Sequence, residues 1–109
     1  MESNDAISAL SALAQDGRLA AFRLLVQNAP NGLCAGDIGR ALAIPASTMS
    51  SHLAILTRAG LVSATREGRS IRYRADMAGM TALLSYLTED CCGGNHSTCM
   101  HPLTDTLQD

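Results

Sequence analysis

The sequence predicts a mainly α-helical domain with one small β-hairpin, in the order helix, helix, helix, helix, hairpin, helix. Three observations carry that expectation. Apolar residues recur at helical spacing in five stretches separated by turn residues. One segment, LVSATREGRSIRYRA (61–75), alternates instead, with Ile71 and Tyr73 on one side and Ser70, Arg72 and Arg74 on the other. An apolar content of 47% in a chain of 109 residues suits one domain of ordinary size.

The first helix is expected over residues 4–15, after the polar start Ser3-Asn4-Asp5, with Ile7, Leu10, Leu13 and Ala14 as its apolar side. Asp16 and Gly17 punctuate. RLAAFRLLVQNA then reads as a second helix with Leu19, Phe22, Leu25 and Val26 on one side, ending at the turn signal Pro30-Asn31-Gly32. A short third helix, AGDIGRALAI, turns Ile38 and Leu42 inward. Pro45 is placed in the first turn of the next helix, where a missing N–H is no loss. That fourth helix, ASTMSSHLAILTRAG, stops at Gly60. The hairpin turns at Glu67-Gly68. From Asp76, an expected N-cap, MAGMTALLSYLTE resumes helical spacing through Met77, Met80, Leu84 and Leu87. The periodicity ends after Asp90. Residues 1–90 are therefore expected to form the folded unit, and 91–109 a flexible, cysteine-containing tail. Two short helices joined tightly and followed by a basic hairpin describe a winged helix-turn-helix.

The composition narrows the partners. Phe22, Tyr73 and Tyr86 are the only aromatic residues, so the core is aliphatic and small, and a partner subunit is expected to add stability. No apolar run is long enough to span a bilayer, and the first ten residues carry acids where a secretory signal would carry bases, so the chain reads as soluble and cytoplasmic. Four cysteines in such a compartment point to metal or redox chemistry rather than structural disulfides. The formal net charge of −2 conceals an asymmetry: all eight basic residues are arginines within residues 16–75, which hold only Asp16, Asp37 and Glu67 as acids. An unevenly charged surface would show the same statistics. A basic face of this kind is nevertheless what phosphate contact requires.

On the fourth helix, Met49, Leu53 and Leu56 fall within about 60° of one another and face the core. Ser47, Ser51 and Arg58 cluster opposite, flanked by Thr48, Ser50 and Ala54. Small hydroxyl side chains and one arginine allow a helix to lie close in a major groove and hydrogen-bond base edges and phosphates. Arg66, Arg69, Arg72 and Arg74 crowd the hairpin, with Arg66 and Arg69 flanking its tip. A charged edge that prevents strand aggregation is the other reading of such a hairpin. Next to a helix of this type, contact with double-stranded DNA is the reading preferred. His52 lies beside the core stripe and is read as packed or phosphate-facing, within the DNA-binding set.

The stretch DGRLAAFRLLV, followed by GDIGRALAIPASTMSSHLAILTRAGLVSATREGRSIRYR, resembles the ArsR/SmtB family of bacterial winged-helix metalloregulatory repressors. SSHLAILTRAGLV and REGRSIRYR are its most specific parts, and the likeness spans roughly residues 5–90. It implies a homodimer formed by the first and last helices, an inverted-repeat operator, and repression relieved by a ligand. The apolar sides of the first and last helices, left without another element to cover them, independently favour a dimer.

Cys91 and Cys92 are adjacent, and Gly93-Gly94 let the chain turn so that Cys99 can join them. Thiolates favour soft ions, and three with no fourth donor suit a trigonal-pyramidal metalloid. The resemblance extends to an arsenite-responsive type with a C-terminal Cys-Cys and a third cysteine, implying As(III) as inducer, or Sb(III), on Cys91, Cys92 and Cys99. A redox switch through the vicinal pair, responding to persulfide or oxidant, is a second reading. Zinc or cadmium is a third, with His96 and His101 able to complete a tetrahedral zinc site. Cys34 is read as a small buried residue. With Arg40 it matches the C-x5-R spacing of a phosphatase-type nucleophile loop, but no strand or parallel sheet is expected to hold such a loop, so no enzyme is expected.

Overall fold

The computed structural model describes residues 1–89. Its elements are α1 (Ser3–Leu13), α2 (Asp16–Gln27), β1 (Leu33–Cys34), α3 (Ala35–Leu42), α4 (Ala46–Arg58), β2 (Val62–Glu67), β3 (Ser70–Ala75) and α5 (Met77–Leu87). The predicted tail, with Cys91, Cys92, His96, Cys99 and His101, lies outside the described residues. No helix among those described is long and apolar enough to cross a membrane.

Local chemistry sets the boundaries. At the start of α1, the Glu2 amide donates to Asp5 Oδ2 at 3.2 Å. Asp16 and Gly17, read as punctuation, instead form the first turn of α2, because Gln15 is the N-cap and its Oε1 accepts from the Arg18 amide at 2.8 Å. The Arg18 side chain turns back to end α1, its Nε donating to the Ala12 carbonyl at 2.7 Å. The helix-turn-helix pivots on Ala43, at φ 56, with the Ile44 amide donating to the Gly39 carbonyl at 2.9 Å. That six-to-one bond closes α3 in the Schellman manner. Pro45 is the N-cap of α4, one residue before the position expected for it. Asp76 caps α5 as predicted, its Oδ1 accepting from the Gly79 amide at 3.1 Å.

The sheet has three strands in the order β1-β3-β2, all antiparallel, rather than a hairpin alone. Residues β2 and β3 pair from Val62↔Ala75 to Glu67↔Ser70, so Gly68-Arg69 make the turn. Strand β1 adds only Leu33↔Tyr73 and Cys34↔Arg72. Two residues give no alternation to read, which is why the segment looked like pure turn.

The buried core takes Ala6, Ala9 and Ala12 from α1, Ala21, Phe22 and Leu25 from α2, Ile38 from α3, and Met49, Leu53 and Leu56 from α4, closed by Leu61, Val62 and Leu83. The α4 stripe is as predicted. The apolar sides of α1 and α5 are left largely uncovered, as expected, and α2 departs from its expected side in part. On α1, Ile7 and Leu10 are exposed and alanines face inward. On α2, Leu19 and Val26 are exposed, and on α5 Leu83 is the buried anchor while Met77 and Leu87 point out. Small inward residues let α1 pack closely, which frees its larger ones for the outer side. The start of α5 approaches the end of α4 just as closely: a Cβ on Gly79 would lie 1.9 Å from the Gly60 carbonyl oxygen, so only glycine fits there.

Candidate nucleic-acid interface

Helix α4 presents its interface from the first two turns. Ser47, Thr48, Ser50 and Ser51 are exposed, while Met49 and Leu53 behind them are wholly buried. Ser51 Oγ donates to the Ser47 carbonyl at 3.3 Å, which leaves its lone pairs as acceptors. No side chain caps this helix and no acid sits in its first turn. Its first amides and the positive end of its dipole are therefore open to an anion.

The wing faces the same side. A groove of about 270 Å³ is lined by Ser50 of α4, Arg69 and Ser70 of the wing tip, Tyr73 of β3, and Cys34. One recognition-type helix and one basic tip thus border a single trough. The Arg69 side chain makes no hydrogen bond or ion pair among the described residues, whereas Arg66 Nε donates to the Gly68 carbonyl at 3.3 Å and stays at the tip.

Arg72, expected among the DNA-contacting residues, lies on the outer face of the sheet, opposite the core-packed Tyr73 and Ala75, and is tied to partners within the domain. Its Nε donates to Glu67 Oε1 at 2.9 Å and its Nη1 to the Gly32 carbonyl at 3.3 Å. The hydrogen bond it donates to Glu67, and then the charge of that carboxylate, raise the Arg72 guanidinium above its ordinary value, so it stays cationic throughout the working range. Glu67 Oε2 also lies 3.7 Å from Arg74 Nη2. Glu67, read only as a turn residue, is the one acid set among four arginines, and that composition was the signal available for it.

Arg58 shares the angular sector of Ser47 and Ser51 but sits at the far end of α4, roughly 16 Å along the axis at the helical rise. There it borders grooves with Ile7 and Ser8 of α1 and with Gly60 and Gly79. It is not gathered with the serines. His52 is half-buried, its ring so close over Gly17 that a Cβ there would come within 2.8 Å of Nε2. It closes one wall of a groove beside Thr48 and Gln15.

Cys34 is half-buried rather than buried, since it is the N-cap of α3 and opens onto the trough between α4 and the wing. The residues between it and Arg40 are helix α3 itself, and Arg40 pairs with Asp37 across one turn. A nucleophile loop wrapped around an oxyanion is therefore not what this spacing encodes. Among the described residues no three His, Cys, Asp or Glu side chains come together to hold a metal ion.

Comparison with known proteins agrees with this architecture. The family described as "Helix-turn-helix domain" matches residues 13–63. The chain is 31% identical over 97 residues to the transcriptional activator HlyU of Vibrio cholerae, covering 87% of each. The HlyU structure superposes with a TM-score of 0.64 over 84% of this chain and 99% of that one, at 31% identity. The homodimeric winged helix-turn-helix DNA-binding domain of a possible ArsR-family regulator from Mycobacterium bovis gives 0.63 at 30% identity, over 80% of this chain and 81% of its own. The antimony-specific transcriptional repressor AntR gives 0.62 at 28% identity, over 79% and 77%. These relatives are regulators rather than enzymes, and with them this chain belongs to the ArsR family of winged-helix, DNA-binding transcriptional regulators.

Proposed function

We propose that the chain is a homodimeric repressor that releases an inverted-repeat operator when trivalent arsenic, or antimony, is captured by the thiolates of Cys91, Cys92 and Cys99. The observation that carries the DNA-binding part is the trough that Ser50, on the hydroxyl-bearing side of α4, shares with Arg69 and Ser70 of the wing tip. In this reading Ser47, Thr48, Ser50 and Ser51 meet base edges and phosphates, His52 a phosphate, and Arg66 and Arg69 the flanking backbone. Ile7 and Leu10 of α1 with Met77 and Leu87 of α5, all exposed, supply the surface for a second subunit. Two-fold symmetry then presents two α4 helices to two half-sites. As a regulator of transcription it works in the cytoplasm.

The thiol part rests on where the cysteines attach. Helix α5 starts against Gly60, at the end of α4, and finishes at Leu87, just before Cys91 in sequence. A metalloid bound at these cysteines acts next to an element in contact with both α1 and the end of α4. A coupling of about 1–3 kcal/mol weakens operator binding about 5- to 150-fold. That one relative is named as an antimony-specific repressor supports a trivalent metalloid. The test is operator binding by Cys91→Ser, Cys92→Ser and Cys99→Ser proteins with arsenite, antimonite, zinc and cadmium. The proposal expects arsenite and antimonite to release the unaltered protein and to fail with each variant. Release by zinc or cadmium alone would move the ligand class, and undiminished arsenite release from all three variants would remove the site.

A second reading has its own observation. The Cys34 thiol opens onto the trough itself, and a relative has been solved in a form named reduced HlyU, at 30% identity and a TM-score of 0.63. Oxidation of Cys34 would add bulk and polarity between α4 and the wing. This reading expects a thiol oxidant to release DNA from the unaltered protein and not from Cys34→Ser.

A further inference from the structure

We propose that Glu67 is a positioning residue that holds Arg72 and Arg74 away from DNA, so that the wing engages phosphate through Arg66 and Arg69 alone. The inference rests on the reading that the wing touches DNA. It begins from register: Thr65↔Arg72 and Ser63↔Arg74 are cross-strand pairs, and Glu67 lies on the same side of the two-stranded ribbon. The carboxylate therefore faces both guanidinium groups. Oε1 accepts from Arg72 Nε at 2.9 Å, and Oε2 lies 3.7 Å from Arg74 Nη2.

The arginines are held from behind as well. Arg72 Nη1 reaches the carbonyls of Gly32 at 3.3 Å and Asn31 at 3.5 Å, on the loop before β1. Arg74 Nη1 donates to Thr65 Oγ1 at 3.2 Å. A phosphate approaching either arginine must compete with a carboxylate already in place, and the field it meets is reduced by that charge. Arg66 and Arg69 carry no such partner. Sequence-independent affinity follows the number of phosphates neutralised, so a wing that withholds two of its four arginines binds arbitrary DNA less and leaves more of the discrimination to α4.

The experiment measures operator and non-operator binding across a salt series for the full chain and for Glu67→Gln, Arg69→Ala and Glu67→Gln/Arg72→Gln. Glutamine keeps the shape and removes the charge. The expected result is a log K against log salt slope steeper by about 3.6 for Glu67→Gln, two freed arginines on each of two wings at roughly 0.9 per phosphate. Non-operator DNA then binds at least about tenfold tighter at low salt, and the double variant, which leaves only Arg74 freed, recovers about half of the change in slope. Arg69→Ala should flatten the slope by about 2, one arginine lost on each of two wings. If Arg69→Ala flattens it while Glu67→Gln leaves it unchanged, or lowers affinity without changing it, Glu67 serves only the shape of the wing and the inference is overturned. If Arg69→Ala changes nothing, wing contact itself fails, and the inference fails with it.

Discussion

Helices α4 and α1 follow the same 3.6-residue period and use it in opposite ways. Helix α4 buries Met49, Leu53 and Leu56 and turns its hydroxyls to solvent. Helix α1 buries only Ala6, Ala9 and Ala12, and holds Ile7 61% and Leu10 44% exposed. Helix α5, packed beside α1, buries Leu83 but likewise leaves large residues outside, with Met77 48% and Leu87 52% exposed. A helix that anchors on its own domain puts its bulk inward. A helix that serves two neighbours puts alanine against the nearer one, where close approach is needed, and keeps its large residues for the other. Covering such a residue is worth about 1.5–3 kcal/mol, so apolar bulk left outside on two adjacent helices suits the second subunit proposed above.

The sharpest way to break this contrast is on α4. Leu53→Ala should cost about 2–5 kcal/mol and lower the melting temperature by on the order of 10 °C or more, read by thermal and denaturant unfolding. A loss under about 1 kcal/mol would mean the stripe is not the anchor it looks like. The matching change on the other side, Ile7→Asp with Leu87→Asp, should leave subunit folding nearly intact and raise the dimer dissociation constant by at least about 100-fold, since symmetry counts each lost contact twice. Sedimentation against concentration reads it, and an unchanged dimer would place the interface elsewhere. The smallest effect on folding belongs to the polar side of α4. Ser47→Ala with Thr48→Ala should hold stability within about 0.5 kcal/mol while costing operator binding on the order of tenfold and sparing non-operator DNA. Equal losses on both DNAs would make these hydroxyls phosphate contacts only.

Much of the architecture was legible because strong local signals agreed with it. The Met49-Leu53-Leu56 stripe, the glycine ending α4 and the Asp76 cap are each determined within a few residues, and each stands where the sequence puts it. The uncovered apolar sides of α1 and α5 were legible, but the inward alanines of α1 and the exposure of Leu19 and Val26 on α2 were not, because periodicity identifies a helix without saying which of two sides meets its own domain. Strand β1 is too short to carry a pattern, and its pairing with Tyr73 and Arg72 is a contact between distant parts of the chain. The same holds for the candidate interface. The gathering of Ser47, Thr48, Ser50 and Ser51 follows from helical geometry alone. That Arg72 folds onto Glu67 and Gly32, and that Arg58 sits beside α1, depends on which elements pack next to each. Arginine count in a hairpin therefore overstates the positive charge left unpaired on its surface.

The central claim is that DNA binding by α4 and the wing is governed by a metalloid held at Cys91, Cys92 and Cys99. Its most direct test is a single titration of the operator-bound dimer with arsenite, following thiolate–arsenic absorbance and DNA release together. The account predicts that both signals saturate at about one arsenic per subunit and that neither appears in the Cys91→Ser/Cys92→Ser/Cys99→Ser protein. Release that precedes or outlasts the absorbance change, or that persists in the triple variant, would contradict it.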